Sequence, residues 1–176
     1  MKKYYLVIAT FIISFYGCNG IYEKVIENQE ELIELSSYKD ITNDDDDRHY
    51  YELITYSSDY KQKNWFVFEK HEENPVSYSL IHAEIEIPMD TVIGIDMTSE
   101  HYVTEILDYY EKVSKIIRSY KIKSLVGKRD QSTPNQKLKI YLEGGGGMKY
   151  YPNGISEAEI EDIDGYKDMG GGWYCY

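Results

Sequence analysis

Four consecutive carboxylates, Asp44, Asp45, Asp46 and Asp47, stand between Asn43 and Arg48. Oxygen-rich runs suit hard cations such as calcium, which collect several oxygen ligands. The spaced acids, central glycine and late glutamate of an EF-hand loop are missing, so the run reads as a solvated acidic loop that can face a basic partner. The histidines His49, His71, His82 and His101 lie 11 to 22 residues apart. None forms an i, i+4 pair, and no zinc site is expected. Gly144 to Gly147 lacks the lysine and serine or threonine of a phosphate loop, and reads as a bent strand or a connection. No serine sits in G-x-S-x-G. Acid pairs are too abundant in this chain for spacing alone to select a glycosidase couple. Trp173, in "GGGWYCY", offers a face for a partner or a sugar, or else pins a last strand into the core. Cys175 beside it has no local cation to make it a thiolate and reads as a small buried hydrophobe. No catalytic residue, metal or cofactor is expected.

Cys18 is different, because what precedes it matters. Lys2 and Lys3 open the chain, and Tyr4 to Tyr16 runs 13 residues without a charge. A bilayer-spanning helix needs roughly 20 apolar residues, so the run reads as a secretory signal. Its end, Phe15-Tyr16-Gly17-Cys18, resembles the lipobox of bacterial lipoproteins. The resemblance implies cleavage before Cys18, acylation of that cysteine, export, and a lipid anchor in the envelope membrane. Two other readings stay open: an ordinary cut after Gly20, or an uncut segment acting as a short anchor.

The chain carries 19 Lys and Arg against 31 Asp and Glu, a formal charge of −12. Removing Lys2 and Lys3 with the signal leaves 17 against 31, or −14. Phosphate backbones demand cations, so nucleic acid is excluded as a partner. Residues 21–60 hold 12 acids and 3 bases, and residues 143–176 hold 7 and 2. From Lys112 to Lys139 the sign reverses, with 9 bases against Asp130 alone. A protein with a basic face is the expected partner, while the basic belt reads as local surface electrostatics.

The elements that must position these groups follow from pattern. "IYEKVIENQEELIELSS" has helical spacing, whereas "YKDITNDDDDR" has almost nothing to bury and reads as loop. Residues 49–57 and 63–69 are aromatic and β-branched, with a turn at Tyr60, and predict a hairpin. Ala83, Ile85 and Ile87 alternate with Glu84 and Glu86 in a strand closed by Pro88. Val103, Ile106, Tyr110, Val113, Ile117 and Tyr120 trace one helical stripe, capped by Thr98 or Ser99 and stopped by Gly127. "LKIYLE" is a short strand, and Pro152-Asn153-Gly154 is a hairpin signal. "KYYPNG" resembles the core of one MORN-type repeat, but repeats of that kind share a core with neighbours and only one copy is present.

The expected fold is α+β: an antiparallel sheet of about five to seven strands with the 99–120 helix packed on it, plus an N-terminal helix. The expected organisation is a signal at 1–17, an N-terminal helix and acidic tether at 18–48, and one domain at 49–176. The expected function is a membrane-anchored, non-enzymatic envelope lipoprotein that binds a cationic protein, as an immunity or inhibitor protein would. Its partner-binding candidates are Asp44 to Asp47 and Trp173. An accessory lipoprotein without a soluble target, or a carboxylate-dependent hydrolase, are the other readings.

Overall fold

A computed structural model of the chain describes residues 20–43, 50–71, 76–127, 138–155 and 165–176. Alternation decides the sheet. In strand β2 (Tyr50–Tyr56), Tyr51, Leu53 and Thr55 are buried, and in β3 (Lys63–His71) Asn64, Phe66 and Phe68 are buried. The two strands pair antiparallel with Leu53 opposite Phe66 and Tyr51 opposite Phe68, so one face collects the apolar side chains. This is the hairpin that residues 49–69 predict, and Tyr60 lies in its turn. Strand β4 (Ser77–Ile85) continues it as an edge, where Ile81 and Ile85 stay exposed.

Helix α1 (20–27) and helix α2 (Gln29–Ser36) meet at Asn28. Strand β1 (Lys39–Asn43) follows, and here the loop reading of "YKDITN" fails. β1 lies inside the sheet, paired with β2 on one side and with β7 (Ile122–Gly127) on the other. Its polar residues are buried because distant groups satisfy them. Tyr56 donates to Asp40 Oδ2 at 3.0 Å, and the Gly127 N–H donates to Asp40 Oδ1 at 3.0 Å. Gly127 is therefore not the stop of the long helix. It ends β7 where a Cβ would lie 2.4 Å from the Ser36 carbonyl oxygen.

The short strands β5 (Met89–Asp90) and β6 (Ile95–Asp96) form a separate pair. Helix α3 (Tyr102–Ser119) buries Ile106, Tyr110, Val113 and Ile117, four of the six residues of the predicted stripe. Its N-cap is His101 rather than Thr98 or Ser99, and beyond its C-cap Tyr120 the chain turns at Lys121, in the left-handed region at φ 54°. Strands β8 (Leu138–Leu142) and β9 (Gly147–Tyr150) form a hairpin around Gly144, Gly145 and Gly146. All three have positive φ, a conformation that glycine adopts without a Cβ penalty. Strands β10 (Lys167–Gly170) and β11 (Trp173–Cys175) complete the sheet. Pro152-Asn153-Gly154 does turn the chain, with the Gly154 N–H bonded to the Tyr151 carbonyl, but it closes no hairpin on β9, because β8 and β11 take both edges of that strand.

Among the described residues the sheet has nine strands, not five to seven, in the order β10-β11-β9-β8-β7-β1-β2-β3-β4, and every pairing is antiparallel. The excess comes from short or polar strands: β1, β7, β10 and β11. The helices share one core with the sheet, running from Val25 and Leu32 through Ile41 and Phe66 to Ile117 and Trp173. Phe68 stacks on Tyr110 at 4.0 Å between ring centroids. Side chains of this size contribute roughly 1.5–3 kcal/mol each on burial. Among the described residues, no helix is long and apolar enough to cross a bilayer.

Candidate functional site

Where α2 hands over to β1, the chain makes a sharp corner at Tyr38, whose φ is +55°. Lys39 follows as the first residue of β1, opposite Thr55. On that side of the strand its neighbours Ile41, Leu53 and Thr55 are buried, and Lys39 is itself only 7% exposed. Burial lowers the pKa of its amine, and the charges of Asp90 and Glu34 oppose that shift. No hydrogen bond or ion pair holds the Lys39 ammonium among the described residues.

Asp90 is 2% exposed and fully engaged. Its Oδ2 accepts from Thr55 Oγ1 and from Asn64 Nδ2 at 2.9 Å, and its Oδ1 accepts from the N–H groups of Val92 at 3.0 Å and Ile93 at 3.3 Å. Asn64 also holds Ile87 through both backbone groups. These bonds fasten the 86–93 segment to the end of β2 and β3. A cavity of about 540 Å³ remains between that segment, the α2–β1 corner and the β2–β3 turn. Lys39, Glu34, Ser37, Tyr38, Ser58 and Thr91 are among the residues that line it.

Aromatic rings flank the cavity. Tyr60 packs against Tyr38 at 5.2 Å and against Tyr56 at 5.5 Å, and Tyr60 also has a positive φ of 57°. Bulky residues rarely adopt this conformation. Burial raises the hydroxyl pKa of Tyr56 and of Tyr60. Chemically the site offers a donor-only ammonium, a carboxylate at Glu34 with no side-chain bond among the described residues, and hydroxyls that both donate and accept. Two hydroxyls here donate to carboxylates, Thr55 to Asp90 and Ser57 to Asp59.

The residues singled out from sequence are not gathered here. Cys18, Asp44 to Asp47 and His49 lie outside the described residues. Trp173 cannot serve as a partner contact as placed. It is 0% exposed, and its Nε1 donates to Gln29 Oε1 at 2.9 Å, so the alternative reading of a pinned last strand describes it. Cys175 is a free, buried thiol. His71 Nε2 meets Ser79 Oγ at 2.9 Å, but no third group orients the ring among the described residues, as a catalytic pair requires. Nor do three metal-ligating side chains come together among those residues. Lys39, Asp90, Tyr38 and Tyr60 were not legible as a group. The local signals, a Tyr-Lys-Asp run and a Met-Asp pair, are too common to select. No known protein family, curated protein or solved structure matches the chain.

Proposed function

We propose that this chain is a lipid-anchored, non-enzymatic envelope protein that docks a cationic protein, as an immunity or inhibitor protein would. One observation carries the reading. Glu23, Glu27, Glu30, Glu31 and Glu34, all exposed, follow one another at helical spacings of 4, 3, 1 and 3 along α1 and α2. They form a single stripe opposite the buried Val25 and Leu32. Like charges three and four residues apart on a helix repel, and Lys24 is the one basic residue in the stretch. The stripe thus costs the isolated protein stability, and a cationic surface laid against it would remove that cost.

Helix α1 is described from residue 20, two positions after Cys18. A lipid on Cys18 would hold the stripe close to the membrane surface, so the partner must be reachable there. Opposite charges speed encounter and reject wrong partners more than they tighten the final complex. The test is capture from envelope extract by the full chain and by a variant carrying Glu23→Gln, Glu27→Gln and Glu30→Gln. The native chain should retain a basic protein that the variant releases, and association should slow as salt rises. Retention of that protein by both, or capture of acidic proteins alone, would refute the reading. Repeated empty captures would favour an accessory lipoprotein without a soluble target.

A further inference from the structure

We infer that the cavity at the α2–β1 corner binds a saccharide, a neutral polyhydroxyl ligand whose hydroxyl groups take the Lys39 ammonium as donor and the Glu34 carboxylate as acceptor, against a wall formed by Tyr38. The inference shares Glu34 with the acidic stripe but does not depend on a protein partner.

A lysine held largely out of water with no partner for its ammonium among the described residues is costly, and the fold gains nothing evident from it. A methionine of similar length would fill the same space. Lys39 nonetheless lines an open cavity with three donors unused among the described residues. Asp90 cannot accept from a ligand, because Thr55, Asn64, Val92 and Ile93 already occupy both of its oxygens. Glu34 can, since no side-chain bond engages it among the described residues. The hydroxyls of Ser37, Ser58 and Thr91 are exposed and likewise unengaged among the described residues.

The charges choose the ligand class. A simple anion attracted to Lys39 would meet two carboxylates, Glu34 and Asp90, in the same cavity. A simple cation would meet Lys39. A sugar hydroxyl donates and accepts at once, so it satisfies an isolated donor and an isolated acceptor together. About 540 Å³ falls within the roughly 300–1,000 Å³ of small-molecule sites. The backbone adds an independent indication. Of the three non-glycine residues with positive φ among the described residues, Tyr38 and Tyr60 are both in the ring cluster that flanks this cavity. Strained backbone held by its surroundings concentrates at ligand sites. An extended peptide is the poorer fit, because β1 and β2 are interior strands with no free edge to extend.

The experiment follows backbone and tyrosine resonances of the full mature chain while chitotriose, maltotriose and cellobiose are titrated in turn. Inorganic phosphate and a triglycine peptide are the comparison probes. At least one saccharide should shift the resonances of Tyr38, Lys39 and Tyr60 in a saturable way. Lys39→Met should weaken that binding at least tenfold while leaving the thermal midpoint unchanged or higher, and Tyr38→Ala should weaken it similarly. Should Tyr38→Ala fail to fold, Lys39→Met decides the matter alone. The inference is overturned if none of the three saccharides shifts these residues, if Lys39→Met binds as well as the native chain, or if phosphate or triglycine binds in their place.

Discussion

Lys139 and Lys149 are direct cross-strand partners on β8 and β9, with their ammonium groups over tyrosine rings. Lys139 Nζ lies 4.5 Å from the ring centroid of Tyr141, and Lys149 Nζ lies 5.0 Å from that of Tyr166. Like charges placed opposite one another destabilise a sheet, and the ring faces offset part of that cost. Burial holds the Lys149 amine below its ordinary pKa, and Lys139 adds to the effect. Lys139→Gln should therefore move the Lys149 pKa part of the way back up, as read from its side-chain resonances in a pH titration. An unchanged value would mean that the two charges do not sense each other.

The tyrosines set the alkaline limit of stability. Burial pushes Tyr109 and Tyr166 up to about 12, and raises Tyr56, Tyr110 and Tyr176 as well. An unfolded chain would release these protons near pH 10, where the folded chain keeps them. Their contribution is thus fully present below pH 10 and is lost as pH climbs through about 12. Lys39 and Lys149 act in the opposite direction. Their lowered folded pKa values let stability rise with pH up to the ordinary lysine value of 10.5. Phenolate absorbance should show most of the buried tyrosines ionising together with unfolding. Free titration of all 20 tyrosines near pH 10 in a folded protein would contradict this.

Tyr110 ties the long helix to the central strand. Its hydroxyl donates to the Thr42 carbonyl at 3.0 Å and to Asn43 Oδ1 at 3.2 Å. Tyr110→Phe keeps the ring on Phe68 but leaves buried acceptors short of a donor, a loss of about 1–3 kcal/mol. Urea unfolding should show a lower midpoint with an unchanged slope.

Gly127→Ala should destabilise for a steric reason. The new methyl would approach the backbone oxygens of Ser36 at 2.4 Å and Lys39 at 3.0 Å, and neither can swing away as a side chain can. Overpacking of this kind costs about 1–3 kcal/mol. A thermal midpoint equal to that of the native protein would show that the corner yields.

Lipid attachment is tested directly. Labelled palmitate should enter the chain made in bacteria and should not enter Cys18→Ala. One acyl chain binds membranes only marginally, so the several chains of a bacterial lipoprotein are what would hold the protein firmly. Equal labelling of the variant, or a mature terminus at Ile21, would remove the anchor from the proposal.

Patterns that are complete within a short window were readable from sequence. The β2–β3 hairpin announces itself through alternating aromatics, and α3 through its stripe, although Val103 at one end is 38% exposed. Strand β1 was not readable, since "KDITN" has a single apolar residue. It is buried because Tyr56 and Gly127 serve Asp40, while Tyr110 and Ser114 serve Asn43 from some 70 positions away. Local propensity carries no trace of such bonds. The cavity was hidden for the same reason: Lys39 and Asp90 become neighbours only once Asn64 has fastened the 86–93 segment.

The strand order has a kinetic consequence. β1 to β4 pair in chain order, and β7 to β11 pair among themselves, so each half of the sheet can zip from local turns. Within the sheet, three paired positions join the halves, Asp40 with Val126, Ile41 with Leu125, and Thr42 with Ser124, and the Gly127 N–H adds its bond to Asp40. Closing this seam brings together segments more than 80 residues apart, a loop-entropy cost that neither half bears by itself. Helix α3, lying between the halves in sequence and touching β4, β1 and β7, is the splint across the joint. The seam should accordingly be the last part of the sheet to close during folding.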